Sequence, residues 1–321
     1  MKPWMLAVMV LAVALTWSGR AFSQSCNGSM GTLNFGTVSA VSPNNTDVSG
    51  NLSISCSGFG GTPYVRVCAN LGLPASGGTW GARLVPGSSS PISLAYTIYK
   101  DSARTQTWTS VWDSPTQSNS IDIQLVAGTA LANLPVYARV PGNQSTVPAG
   151  SYSSNFGVND ATVAYVGYTS NPPACSSSFY ATGFTFTVQA TVASDCLITA
   201  TNANLGSIGL ITNTVAVPGT ITTTCTNGTT YSVSINAGQG TGATVASRLL
   251  TRTGSTDTLR YNIYLDGAYK QIWGDGSNGT YTRPSTGVGT AQANTYYAVL
   301  APQPGVKPGT YTDQLIATVT F

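Results

Sequence analysis

Along most of the chain, apolar residues alternate with Thr, Ser or Asn in short runs, and Gly, Pro or Asn separates one run from the next. A period of two belongs to strands with one buried and one wet face, and no stretch carries a helical period. FTFTVQATV (184–192) is the strictest case: Phe184, Phe186, Val188, Ala190 and Val192 alternate with Thr185, Thr187, Gln189 and Thr191. YTDQLIATVTF (311–321) is close behind. There Tyr311, Leu315, Ala317, Val319 and Phe321 share one face, Thr312, Gln314, Thr318 and Thr320 the other, with Ile316 out of step. Short alternating strands punctuated by turn residues predict an all-β protein built as antiparallel β-sandwiches.

The runs occur twice in the same order. LNFGTV (33–38), GNLSISC (50–56), YVRVCAN (64–70), LAYTIYKD (94–101), LPVYARV (134–140) and VPAGSY (147–152) form the first series. NLGSIG (204–209), GTITTTC (219–225), YSVSINA (231–237), LRYNIYLD (259–266), TYYAVLAP (295–302) and VKPGTY (306–311) echo them. In 321 residues such a duplication predicts two tandem domains, 24–192 and 193–321, each large enough for its own core.

Residues 1–23 read as a secretory signal peptide: Lys2 opens a basic start, 5–17 are apolar but too short to span a bilayer, and Ala21-Phe22-Ser23 precede a cut before Gln24. Export makes disulfides the natural use of the six cysteines. Cys26 and Cys56 lie 30 positions apart and Cys196 and Cys225 lie 29 apart, in similar surroundings, so each domain is expected to hold one equivalent bridge. Cys68 and Cys175 are left to staple the first domain, although the sequence admits other connectivities.

The composition argues against catalysis. Only 7% of residues are charged, and His and Glu are absent, so acid–base work would fall to Lys, Tyr or the scattered Asp residues. No G-x-S-x-G elbow is present, and GQGTG (238–242) lacks the Lys and helix of a phosphate loop. DGSNG (275–279) is better read as a turn than as a calcium loop. No catalytic residue, metal or cofactor is therefore expected. The net charge of +3 includes Lys2 and Arg20 of the leader, and no basic patch points to nucleic acid.

CTNGTTYSVSINAG (225–238), RLL (248–250), LRYNIYLD, IWGDG (272–276) and PGTYTDQLIATVTF (308–321) resemble the spore coat protein U domain of archaic (Csu-type) chaperone-usher pilus subunits. The match covers 195–321 and is looser over 26–155, where SVWDSP (110–115) stands for IWGDG. The resemblance implies two immunoglobulin-like sandwiches, the second lacking its last strand. It also implies a periplasmic chaperone, an outer-membrane usher and an adjacent subunit that donates a strand. Tyr311, Leu315, Ala317, Val319 and Phe321 would then line the acceptor edge, and a donor burying five apolar side chains would contribute on the order of 10 kcal/mol before ordering costs.

For 184–192 two assignments compete. It is either a donor strand filling the first domain in cis, or the equivalent of 314–321 displaced by an insertion, which would leave the first domain open as well. A mature chain starting at Gln24 would have no strand to give, so it is expected to receive a strand and to sit at a pilus tip. The first domain would then point outward, displaying loops near Met30, Phe59 and Ala103 and the segment DATVAYVGYTSNPPAC (160–175), with Val163, Tyr165, Val166 and Tyr168. Exposed apolar loops would suit attachment to hydrophobic abiotic or host surfaces and biofilm formation. Three readings stand beside this one: a hairpin that buries 160–175, a lectin-like pocket using Trp80, Trp108 and Trp112, and a structural subunit with no receptor.

Overall fold

Backbone pairing follows the alternating runs. The structure, a computed structural model, describes residues 23–113 and 118–321; the expected signal peptide, 1–23, lies outside them apart from Ser23. The first half comprises β1 (Ser25–Met30), β2 (Leu33–Val38), β3 (Thr46–Ser57), β4 (Tyr64–Leu71), β5 (Gly78–Thr79), β6 (Ala82–Pro86) and β7 (Ser93–Tyr99). It continues through β8 (Asn119–Gln124), β9 (Ala130–Val140), β10 (Gly150–Phe156), β11 (Ala161–Tyr168), β12 (Tyr180–Gly183) and β13 (Phe186–Val192). The second half comprises β14 (Cys196–Ala200), β15 (Val215–Cys225), β16 (Thr230–Ile235), β17 (Arg248–Arg252), β18 (Thr258–Tyr264), β19 (Arg283–Thr286), β20 (Gln292–Leu300), β21 (Tyr311–Thr312) and β22 (Ala317–Thr320).

Each half is a sandwich around its own apolar core. In the first, the sheet β1-β3-β9-β7-β6-β5 faces the sheet β12-β11-β4-β8, and the ribbon β10-β13-β2 joins them. β2 continues from β1 of one sheet, and β10 continues into β11 of the other. The second half has the sheets β14-β15-β20-β18-β17-β21 and β19-β16-β22, with no such ribbon among the described residues. Cys26–Cys56 and Cys196–Cys225 join residues directly opposite across β1/β3 and β14/β15, and Cys68–Cys175 ties β4 to the segment between β11 and β12.

The two copies agree in their buried polar detail. Trp108 and Trp273 are fully enclosed, and their indole N–H groups donate to the carbonyls of Ala69 (2.7 Å) and Val233 (2.9 Å). Arg83 and Arg248 are enclosed as well and donate to the carbonyls of those tryptophans, at 2.7 and 2.8 Å. These bonds correct two alignments made from sequence. The counterpart of Trp273 is Trp108, not the exposed Trp112 of SVWDSP. Ala69 matches Val233, so Tyr64 does not match Tyr231: the apparent YVRVCAN/YSVSINA alignment is three residues out of register. Strand residues repeat every second position, so shared lettering misleads where a buried side chain does not.

Desolvation lowers both guanidinium pKa values to about 10, which leaves them charged at neutral pH. Arg248 holds the carbonyls of Ile235 (3.0 Å), Asn236 (2.8 Å) and Trp273, and Oδ1 of Asn262 (2.6 Å). Arg248→Ala strips these buried acceptors of their donor. It is expected to lower the stability of the second sandwich by about 3 kcal/mol or more, read in urea titrations as an earlier transition for that half only.

Candidate functional site

The site is defined by what the first copy contains and the second lacks. β10 and β11 succeed one another across the turn at 157–160, and β12 and β13 run back antiparallel along them. Tyr165 faces Tyr180, Phe156 faces Phe186, Ser154 faces Val188, Tyr152 faces Ala190 and Gly150 faces Val192. On its other side β13 runs parallel to β2, with Val188 beside Leu33 and Val192 beside Val38. Phe184, Phe186, Val188, Ala190 and Val192 are all buried, and the Phe186 ring stacks on Phe156 at 4.4 Å. Residues 186–192 thus lie between β10 and β2 in the first sandwich, paired on both edges.

Pairing speaks against the competing assignment. β22 lies on β16 as β11 lies on β4: Ala317 and Val319 face Ile235 and Val233, while Ala161 and Val163 face Leu71 and Ala69. The counterpart of 314–321 is therefore the end of β10 together with β11. Residues 157–160 stand where the second copy has Ile316 alone, and this insertion hides the match in the sequence.

In the second copy the corresponding slot lies between β21/β22 and residues 203–208. Asn204-Leu205-Gly206 repeats Asn34-Phe35-Gly36 closely. Each Asn side chain accepts from the Gly N–H, at 2.9 and 2.8 Å, and each Gly has a positive φ, 75° and 66°. Yet 33–38 is a strand and 203–208 is not, because a strand needs a neighbour and no described residue lies where β13 lies. Burial follows. Phe35 and Val38 are inside, whereas Leu205 and Ile208 are half-buried. Tyr152, Phe156, Ala161, Val163 and Tyr165 are inside, whereas Tyr311, Leu315, Ala317 and Val319 are half-buried and Phe321 is 58% exposed. Strict alternation also turns Asp313 to this inner face, where Tyr261 donates to it at 2.6 Å. Hydrophobic patterning missed it because a charged residue in an apolar row gives no hydrophobic signal.

The remaining sequence-derived residues separate. Met30, Phe59, Val163 and Tyr165 are core residues rather than loop tips. The Tyr165 ring meets the Phe59 ring edge-on at 6.0 Å, and its hydroxyl donates to the carbonyl of Gln24 at 3.2 Å. Val166 and Tyr168 are half-buried in β11, with Tyr168 stacked on Tyr64 at 5.5 Å. Ala103 is exposed in a turn that the Asp101 carboxylate braces through the N–H groups of Thr105 and Gln106. Trp108 is enclosed, and Trp80 has Arg83 over its ring at 5.5 Å, which leaves Trp112 as the open one of the three tryptophans. The carboxylate of Asp275 is taken by Ser277 of its own turn, at 2.6 and 2.9 Å.

β13 leaves the first sandwich toward the second, so the outer end is where β3, β8 and β11 finish. The apolar side chains exposed at or near that end include Val126 (72%), Leu131 (81%) and Tyr180 (77%), with Tyr64 less open at 36%. The sequence signal for Val126 is the tight turn it opens, where Ala127 and Gly128 both have positive φ, 51° and 74°.

A crystal structure of a chaperone–tip adhesion subunit pre-assembly complex from the archaic chaperone-usher Csu pili of Acinetobacter baumannii contains a similar chain. It is 18% identical, with 92% of this chain and 100% of that one covered and a TM-score of 0.57. This likeness is one of fold. The CupB6 tip adhesin of Pseudomonas aeruginosa aligns over 92% of this chain and 93% of its own at 12% identity, with a TM-score of 0.33. A comparison with curated proteins found no match. The Spore Coat Protein U domain model matches residues 12–159 and 182–318, taking in most of both sandwiches. The chain belongs to the Spore Coat Protein U domain family.

Proposed function

We propose that this protein is the tip adhesin of a bacterial chaperone-usher pilus. It is exported through the periplasm and mediates surface attachment and biofilm formation from the cell surface. The observation that supports this reading is the difference in burial: Tyr311, Leu315, Ala317 and Val319 are half-buried and Phe321 is exposed, whereas Tyr152, Phe156, Ala161, Val163 and Tyr165, which β12 and β13 border, are buried. An apolar row beside an unpaired backbone edge is an aggregation hazard unless a strand covers it. The occupant in the pilus is a donor strand from the adjacent subunit; before assembly, a periplasmic chaperone covers the edge until the outer-membrane usher exchanges one for the other.

Polarity supports the same arrangement. A strand that copies β13 would run antiparallel to β21/β22 and leave the second sandwich at its Tyr311 end, away from the first. The neighbouring subunit would then continue the line that the two sandwiches begin. At the opposite extreme, Val126, Leu131 and Tyr180 offer the apolar contact surface, in place of the buried Val163 and Tyr165. Weak individual contacts gain strength from many pili acting together.

In hydrogen exchange, the fragment spanning 311–321 is expected to take up deuterium faster than that spanning 150–168, and to become protected when an alternating apolar strand binds. Val319→Asp should abolish incorporation into pili, as seen by immunogold labelling, while the first sandwich melts at its usual temperature. Changing Val126, Leu131 and Tyr180 together to Ser should reduce attachment to polystyrene severalfold, on the order of the loss expected for three exposed apolar anchors. Attachment that is unaffected by these changes but blocked by free monosaccharides would replace this surface with a lectin site.

A further inference from the structure

The two copies differ at the centre of the strand slot, and the difference has a consequence for what the slot accepts. In the first copy Arg83 faces Tyr96 across its strand pair; in the second Arg248 faces Tyr261. Tyr96 neighbours Ser154, and Tyr261 donates its hydroxyl to Asp313, so Asp313 holds the place of Ser154. Ser154 is buried directly opposite Val188 of β13, its hydroxyl 2.9 Å from that of Ser76. A neutral hydroxyl with a partner tolerates the hydrocarbon beside it.

A carboxylate does not tolerate it equally. Each carboxylate oxygen accepts about two hydrogen bonds. Oδ1 of Asp313 receives the N–H groups of Gln239 (2.7 Å) and Gln314 (2.8 Å), and Oδ2 receives only the Tyr261 hydroxyl (2.6 Å). Asp313 is half-buried with the slot empty, and a strand laid there as β13 lies on β10 would cut off the water that serves the remaining acceptor position. Hydrocarbon opposite Asp313 would bury that position unpaired, whereas a hydroxyl or amide N–H would fill it.

We propose that Asp313 selects the incoming strand: the donor residue opposite it carries a hydrogen-bond donor, within a row that is otherwise apolar. This inference rests on the strand-accepting role proposed above and adds a side-chain requirement to it. The residue acts as a specificity determinant and as a register pin, since slipping the donor by two positions would bring a hydrocarbon side chain onto the carboxylate.

The test uses the full chain and two peptides. One is the chain's own FTFTVQATV, which fills the first slot and would set Val188 opposite Asp313 in the second; the other carries Val188→Thr, a change that keeps the shape and adds a hydroxyl. By calorimetric titration the Thr peptide should bind about tenfold tighter, the scale of one hydrogen bond to a charged group. A peptide with Ala190→Ser, its hydroxyl set opposite Tyr311, should show no such gain. In Asp313→Ser protein, which copies the first sandwich, the preference for Thr should vanish; should that variant not fold, the wild-type comparison of the three peptides decides alone. Equal binding of the Val and Thr peptides, or tighter binding of Val, overturns the role of Asp313 and leaves the strand-accepting site standing. Failure of every peptide to bind overturns both.

Discussion

A strand in the interior of a sandwich must satisfy two backbone edges and one apolar face, and the β10/β11 strand of this protein meets that demand only because β12 and β13 return along it. Nearly everything else in the molecule follows from whether that return is present. With it, β2 becomes a strand, Phe35 and Val38 go inside, and Phe156 is covered by Phe186. Without it, the same motif at 203–208 stays irregular and Leu205, Ile208 and Leu315 remain half-covered. The two lips share their pattern of inward positions; what differs is the return of β12 and β13 along the first.

The join between the sandwiches shows how such a strand carries structure forward. β13 runs directly into 193–195, and these residues are held on both sides. Ala193 donates to the carbonyl of Val38 at 3.0 Å, Thr226 to the carbonyl of Ala193 at 3.1 Å, and Ser39 to the carboxylate of Asp195 at 2.5 Å. Asn227 reaches back to the carbonyl of Thr146 at 2.9 Å. Completing one sandwich therefore also positions the next.

Much of this was legible in the sequence because alternation is a direct image of a half-buried strand. The tandem all-β design and the inward face of 184–192 follow from it. Three features were not legible, each for a physical reason. The turn at 157–160 interrupts the repeat, so the sequence leaves β11, a core strand, open between an exposed loop and a buried hairpin. The β4/β16 register is fixed by where the Trp108 and Trp273 indoles donate, not by the recurrence of Tyr. Asp313 sits on the apolar face because Tyr261 and two backbone N–H groups support it there, and no single-sequence pattern reports such partners.

The central claim is that the second sandwich is completed by a strand in the position that β13 holds in the first. The most direct test fuses residues 184–192 behind Phe321 through a flexible linker and follows the melting of the second sandwich by calorimetry. If the appended segment fills the slot, that transition should rise by more than about 10 °C, the scale expected for a few kcal/mol of added burial in a domain of this size. An unchanged transition, with the appended residues still fully exchanging in deuterium, would contradict the account.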